Sequence, residues 1–328
     1  MLGPVPHRVA VIGAGMAGLA CARVLRRAGC YVDLFEASKG VGGRMATTRL
    51  GVTAFDHGAQ YVTAREAAFS EYLDEIADQG YARVWHPKIA VAGEAAGSSV
   101  LTWYVGTPGM SAMVRPLAES VQVFTNRRVH TIDRCGNGWK IWFDDETSQG
   151  PYAAIAVAIP APQAALILGP LQDLAHRVSR VRMAPCWALM VQLDAPALPQ
   201  FDVYSDMSQV IRWIGRNNSK PGRQARGETV VVHASQNWTK ETDDAEPEIV
   251  AEELWSEVCH LLGLPPNRPQ RMSAHLWQNG LVDQPLGESY LLDSESLVGV
   301  AGDWCSGRLA EHAFVSGTRL GKALVNSI

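Results

Sequence analysis

The chain has 328 residues, 47% of them hydrophobic and 19% charged, with a formal net charge of −4. That balance fits a globular protein with a sizeable core, long enough for one large domain or two ordinary ones. The mildly acidic charge leaves no footprint for nucleic acid or an anionic membrane, and no apolar run reaches the ~18–20 residues of a membrane span.

Residues 8–13 and 31–36 read as apolar strands and 16–29 as a helix, a βαβ unit at the head of a doubly wound sheet. Between strand and helix stands Gly13-Ala14-Gly15-Met16-Ala17-Gly18. In such a loop the first glycine turns the chain off the strand. The second lets backbone approach a pyrophosphate, and the third lets the helix pack close. The helix N-terminus then points free N–H groups and its positive dipole end at the phosphates. Glu36, 18 residues after Gly18, is placed to accept from a ribose 2′-OH. An acid there repels a 2′-phosphate, so the bound adenosine is NAD-like or FAD, with Ala37 beside it. Residues 9–25 carry this fingerprint and Arg23 rather than the pattern of a signal peptide.

Residues 38–49 form a glycine-rich loop, and Phe69, Leu73 and Ile76 mark a helix over 65–79. Residues 83–105 read as short strands around a turn at Gly93–Ser99. A turn at Thr107-Pro108-Gly109 precedes a short helix at 112–119. Strands follow at 121–124, 127–133 and 138–143, and Ala153–Pro162 is a buried strand ended by prolines. Residues 163–180 are helical with a break at Gly169-Pro170. Strands at 186–194, 209–214 and 228–234 suggest a β-rich second unit. Ile249, Val250, Leu254, Val258 and Leu261 define a helix over 246–262. The stretch Gly263–Pro269 is a turn, 270–276 and 298–302 are strands, and 308–326 is a closing helix. The fold expected is therefore α/β: a Rossmann-like cofactor domain built from both ends of the chain (1–75, 106–160 and 290–328), with a β-rich α+β substrate domain (76–105 and 161–289) inserted.

Six dispersed cysteines, without CxxC spacing, indicate neither a metal site nor a disulfide framework, and point to a reducing, cytoplasmic setting. Of ten tryptophans, six lie between Trp187 and Trp304. Core packing and an aromatic-lined site for a flat ligand both account for them.

Gly42-Gly43-Arg44 follows Glu36 closely, allowing a tight backbone pass with an arginine able to pair bidentately with a diphosphate. Here the chain resembles the two-dinucleotide-binding-domain flavoproteins of the monoamine oxidase type. Asp56-His57-Gly58-Ala59-Gln60-Tyr61 is similar to the D-x-G-A-Q-Y segment of the renalases, and Val300–Arg308 to their second flavin motif. Arg216–Pro221, His233-Ala234-Ser235 with Trp238, and Pro108–Ala112 are renalase-like too, so the likeness runs through essentially the whole chain.

The resemblance implies non-covalent FAD. Its contacts would be Gly13, Ala14, Gly15, Met16, Ala17, Gly18, Glu36, Ala37, Gly43, Arg44, Met45, Ala59, Gln60, Tyr61, Val129, Gly302 and Asp303, the last on the ribityl hydroxyls. Ala313, Gly317 and Gly321 repeat along the closing helix, so that it can approach the cofactor or the sheet. The implied reaction is oxidation of a dihydronicotinamide nucleotide, chiefly the 2-dihydro form of NAD(P)H, with O2 as acceptor. No nucleic acid or membrane partner is implied. Gln60, Tyr61, Asn217, His233 and Trp277 would line the substrate site, and hydride transfer there requires no acid or base. His233 reads equally as a hydrogen-bond donor or base and as a satisfied strand-end histidine. One departure stands out: the family's Arg-Pro segment after Trp277 is replaced by Gln278-Asn279-Gly280. An amine oxidase or desaturase of the same fold, and a non-catalytic flavin-binding protein, are the competing readings.

Overall fold

The computed structural model describes residues 7–92, 94–95, 101–119, 121–224, 226–265 and 269–328. The turn expected at Gly93–Ser99 and the middle of Gly263–Pro269 lie largely outside them. Arg8–Ile12 is central in a six-stranded sheet of order Leu291–Asp293, Val298–Val300, Ala154–Val157, Arg8–Ile12, Tyr31–Phe35, Gln122–Phe124. All neighbours run parallel except the edge strand Leu291–Asp293. Val9, Ala10 and Val11 are fully buried, as expected of a strand covered on both faces. An antiparallel sheet of Val129–Cys135, Gly138–Phe143 and Ser148–Tyr152 packs beside it.

The opening helix Met16–Arg27 buries Leu19, Ala20, Ala22 and Leu25. Gly29 (φ +88°) ends it: Cys30 N–H donates to Leu25 C=O and Gly29 N–H to Arg26 C=O, a glycine C-cap. The closing helix Ala310–Val325 lies directly on it. A Cβ on Gly317 would fall 1.9 Å from Ala17 O, and one on Gly321 2.9 Å from Val24 Cβ. The small-residue stripe thus serves a helix–helix contact, whereas the sequence pointed to the cofactor or the sheet.

A seven-stranded sheet runs Arg271–Gln284, Arg182–Leu193, Glu228–Ala234, Ile211–Arg216, Val203–Ser205, Ile89–Val91, Glu94–Ala95. Its neighbours pair antiparallel except Val203–Ser205 with Ile89–Val91, and side chains alternate between the two faces away from the register shifts at Arg182–Cys186 and Ile211–Trp213. Leu189, Val191, Val230, Val232 and Ala274 share one core with Val250, Leu254 and Val258 of the helix Pro247–Leu262. Met190 and Val231, on the other face, pack with Phe55. Period-2 alternation therefore carries His233, His275 and Trp277 onto the face turned toward residues 55–61.

The strand Arg271–Gln284 is about twice as long as the sequence suggested, and Val203–Ser205, Ser148–Tyr152 and Leu291–Asp293 carry no sequence signal strong enough to be expected. Among the described residues no helix is long and apolar enough to cross a membrane.

Candidate FAD and substrate site

The three fingerprint glycines do three different jobs. Gly13 sits at φ +104° and donates from N–H to Phe35 C=O at 2.8 Å. A Cβ on Gly18 would meet Gly13 O at 1.9 Å, so its absence lets the helix close on the loop. A Cβ on Gly15 would meet no atom within 4 Å. That direction is open, as an approaching phosphate requires. The helix behind it has no side-chain N-cap and no acidic residue in its first turn, so its first N–H groups and dipole are available to an anion.

Glu36 follows the strand Tyr31–Phe35. Its Oε2 accepts from Ala14 N–H at 2.8 Å, and Oε1 accepts from Ser38 N–H at 2.8 Å and Ser38 Oγ at 2.7 Å. These bonds fix the half-buried carboxylate beside the glycine loop. Ala37 is exposed next to it. Val129 packs in the cluster that holds Ile12 and Phe35, at the same end of the sheet. Gly42 N–H donates to Ala14 C=O, and Gly43 passes over Gly15 so that its Cβ would lie 3.5 Å from Gly15 Cα.

Arg44 and Asp303 are joined directly: Nη1 to Oδ2 at 2.9 Å and Nη2 to Oδ1 at 2.6 Å. The sequence offered Arg44 to a diphosphate and Asp303 to ribityl hydroxyls; the structure ties each to the other. Met45 is buried, Ala59 N–H donates to Arg44 C=O at 2.8 Å, and Gly302 N–H donates to Ser316 Oγ at 3.0 Å. Both flavin motifs therefore meet around one ion pair.

Deeper in lies a charged knot. Asp56, fully buried, accepts from Arg223 Nη2 at 2.5 Å and Lys220 Nζ at 3.3 Å through Oδ2, and from Met110 N–H at 2.8 Å and Thr47 Oγ1 at 2.9 Å through Oδ1. Burial alone would raise its pKa, but Lys220 and Arg223 overcome that and hold it at about 2. Lys220 is pulled down to about 8 by burial, against the raising effect of Asp56. Lys220 Nζ also donates to Gln60 Oε1 at 3.0 Å, while Gln60 Nε2 donates to Asp56 C=O at 2.6 Å and Gly58 C=O at 3.0 Å. Gln60 is thereby held in one orientation. Asn217, expected to line the site, is 1% exposed. Its amide donates to Ala54 C=O and accepts from Asp56 N–H, so it braces the segment 54–56 instead.

The wall between this segment and the sheet is aromatic and basic. Tyr61 stacks on Trp103 with centroids 3.7 Å apart and planes at 5°, and Trp213 leans on both at 5.7 and 6.1 Å. Trp277 Nε1 donates to His57 C=O at 3.1 Å, and His233 Nε2 lies 3.1 Å from the same oxygen. A carbonyl only accepts, so Nε2 of His233 carries the hydrogen. Burial lowers His233 to a pKa of about 4 and His57 likewise to about 4, with His275 adding to the effect on His57. Both are neutral at pH 7.

Of the residues expected from sequence, Gln60, Tyr61, His233 and Trp277 converge here. His57, Trp103, Trp213, Lys220 and Arg223 were not singled out as site residues. His57 and Lys220 lie within the renalase-like segments 56–61 and 216–221, and Trp213 among the six tryptophans between Trp187 and Trp304, but nothing in the sequence marked any of them individually.

Residues 11–76 match the NAD(P)-binding Rossmann-like domain, and residues 76–321 match the flavin containing amine oxidoreductases. The second match spans most of the chain, and the protein belongs to the flavin containing amine oxidoreductase family, whose FAD this cradle fits. A stretch of 69 residues is 39% identical to protoporphyrinogen oxidase 2, chloroplastic/mitochondrial, of Arabidopsis thaliana, covering 21% of this chain and 14% of that protein. The fold is shared over 99% of this chain and 100% of the other with a putative protoporphyrinogen oxidase from Exiguobacterium sp. 255-15, at TM-score 0.81 and 12% identity. Cyclohexylamine oxidase from Brevibacterium oxydans IH-35A covers 98% of this chain and 99% of its own, with TM-score 0.76 and 13% identity.

Proposed function

We propose that the protein is a renalase-like, FAD-dependent oxidase of dihydronicotinamide isomers. A 2-dihydro-NAD(P) molecule would give up hydride and leave as NAD(P)+, while O2 takes two electrons and two protons to become H2O2. The observation that carries this reading is the character of the wall. A rigid aromatic surface of Tyr61 and Trp213, backed by the buried Trp103, stands beside neutral histidines, and the nearby carboxylates Asp56 and Asp303 are already ion-paired. Among the described residues an aliphatic ammonium finds no unpaired counter-charge there, whereas a planar, uncharged dihydropyridine ring finds a matching face.

Gly15, the N–H groups of Met16 to Gly18, Glu36, Arg44 and Asp303 would hold FAD, non-covalently, with Gly58 to Tyr61 along its ring. When bound, FAD supplies the two-electron acceptor and the onward reaction with O2. The chain supplies position. Trp277 and His233 converge on His57 C=O and fix the loop 56–60 against the sheet. Lys220 and Asp56 fix Gln60 from behind. No group is required to remove a proton, because the reaction needs a donor carbon held ~3–3.5 Å from its acceptor and aligned with it.

Anaerobic mixing of the FAD-loaded protein with 2-dihydro-NAD should bleach the flavin absorbance within seconds; a flavin that stays oxidised overturns the reading. The family match over 76–321 supports a second one, an amine oxidase. Bleaching by a polyamine or aromatic amine, with none by the nucleotide, would select it.

A further inference from the structure

The strand Ile211–Arg216 carries an irregularity. Ile211 pairs with Ala234 and Trp213 with His233, leaving Arg212 as the extra residue of a β-bulge. Ile211 and Ile214 both sit in the core under the helix Pro247–Leu262, although a three-residue step along a regular strand would put them on opposite faces. The bulge absorbs the difference. It turns both Arg212 and Trp213 to the face that carries His233.

Arg212 arrives there unneutralised. Among the described residues it makes no ion pair and no side-chain hydrogen bond, whereas Arg216 and Arg223 of the same segment are both paired. It is exposed. Three groups from three segments register its charge. Burial raises the Tyr61 phenol and the Cys186 thiol and lowers His233; Arg212 opposes the first two shifts and adds to the third. Next to Trp213, which pairs in register with His233 and lies against Tyr61, it stands at the rim of the aromatic wall. A guanidinium held in this way, with its donor fork open to solvent, is suited to bidentate recognition of an oxyanion.

We propose that Arg212, delivered to the site face by this bulge, binds the phosphate of the substrate and makes the enzyme selective for phosphorylated dihydronicotinamides over the bare ring or riboside. The proposal rests on the dihydronicotinamide reading for its choice of oxyanion.

The test is equilibrium titration of the FAD-loaded enzyme, followed by flavin absorbance, with nicotinamide mononucleotide and with nicotinamide riboside, which differ only in the phosphate. The wild type should bind the mononucleotide at least about tenfold more tightly, as one charge-assisted pair provides. Arg212→Gln should bring the two within about twofold, and Arg212→Lys should keep part of the preference. Equal binding by the wild type, or an undiminished preference in Arg212→Gln, overturns the proposal. Failure of the underlying reading looks different. If the preference appears and disappears as stated while 2-dihydro-NAD leaves the flavin oxidised, the phosphate site stands and the hydride donor is another phosphate ester. If the isomers bleach the flavin but the preference is absent, the reading stands and Arg212 has no such role.

Discussion

Arg44 and Asp303, 259 residues apart in the chain, close on each other through two parallel hydrogen bonds of 2.9 and 2.6 Å. Asp303 is 7% exposed in its side chain and Arg44 30%. A bidentate pair this sheltered fixes geometry as well as charge. Asp303→Asn should weaken FAD binding by about 10–100-fold, since it strands a half-buried guanidinium and removes one cofactor contact. Arg44→Met should do the same. The double variant should lose less than the two singles added, because both report on one pair. Quenching of free FAD fluorescence on binding measures all three.

Gly15 and Gly18 separate ligand approach from folding. Gly15→Ala places its methyl where no protein atom stands, so the apoprotein should keep its melting temperature while FAD affinity falls by at least tenfold. Gly18→Ala drives a Cβ to 1.9 Å from Gly13 O, so helix and loop must part and the melting temperature should fall by many degrees. Calorimetry with and without FAD distinguishes the two, and equal melting losses would refute the division of labour.

The Asp56–Lys220–Arg223 knot should be costly to break from either side. Asp56→Asn leaves two buried cations without their anion, a loss of about 3–5 kcal/mol. Urea unfolding followed by tryptophan fluorescence reads it. Lys220→Met leaves Asp56 with Arg223 and should cost less. It also removes the donor to Gln60 Oε1, leaving Gln60 held only through its Nε2, so flavin reduction should slow even where the fold survives.

Acidification should destabilise the protein in a defined window. His57 and His233 bind protons at about 4 in the folded chain and at 6.5 when unfolded. Between those values the unfolded state holds more protons, so stability is complete above pH 6.5 and declines as pH falls toward 4. Asp56 adds a further decline below its ordinary 3.8 as its own value of about 2 is approached. His57→Gln should flatten part of the first decline in melting temperature against pH. An unchanged slope would place the effect elsewhere.

The strand, glycine turn and helix that open the chain were legible in the sequence because their physics is local, all of it lying within residues 8–36. Motif likeness carried Arg44, Gln60, Tyr61 and Asp303, although not the partnership of Arg44 with Asp303, which depends on strand Val298–Val300 entering the same sheet as Arg8–Ile12. The charged knot was hidden for a related reason. Asp56 and Lys220 are 164 residues apart, and nothing near either one marks it as buried. The strand Arg271–Gln284 reads in the sequence as ending at residue 276, short of Gln284, because the polar Gln278-Asn279-Gly280 breaks the apolar pattern. In the structure Gly280 is required for closeness, since a Cβ there would lie 2.9 Å from Cys186 Cβ. The edge strand Leu291–Asp293 is too short for any period to declare itself.

The contact of Gly317 with Ala17 also sets a timetable. The opening helix leaves the ribosome long before the segment that must lie against it exists. At ~5–20 residues per second, the roughly 300 intervening residues take on the order of 15–60 s to synthesise. Throughout that interval the nascent glycine loop lacks the helix that backs it, and Arg44 lacks Asp303. With Arg44 and Asp303 holding FAD as proposed, loading comes late in the life of each molecule, and a chain stalled before residue 303 is expected to emerge colourless.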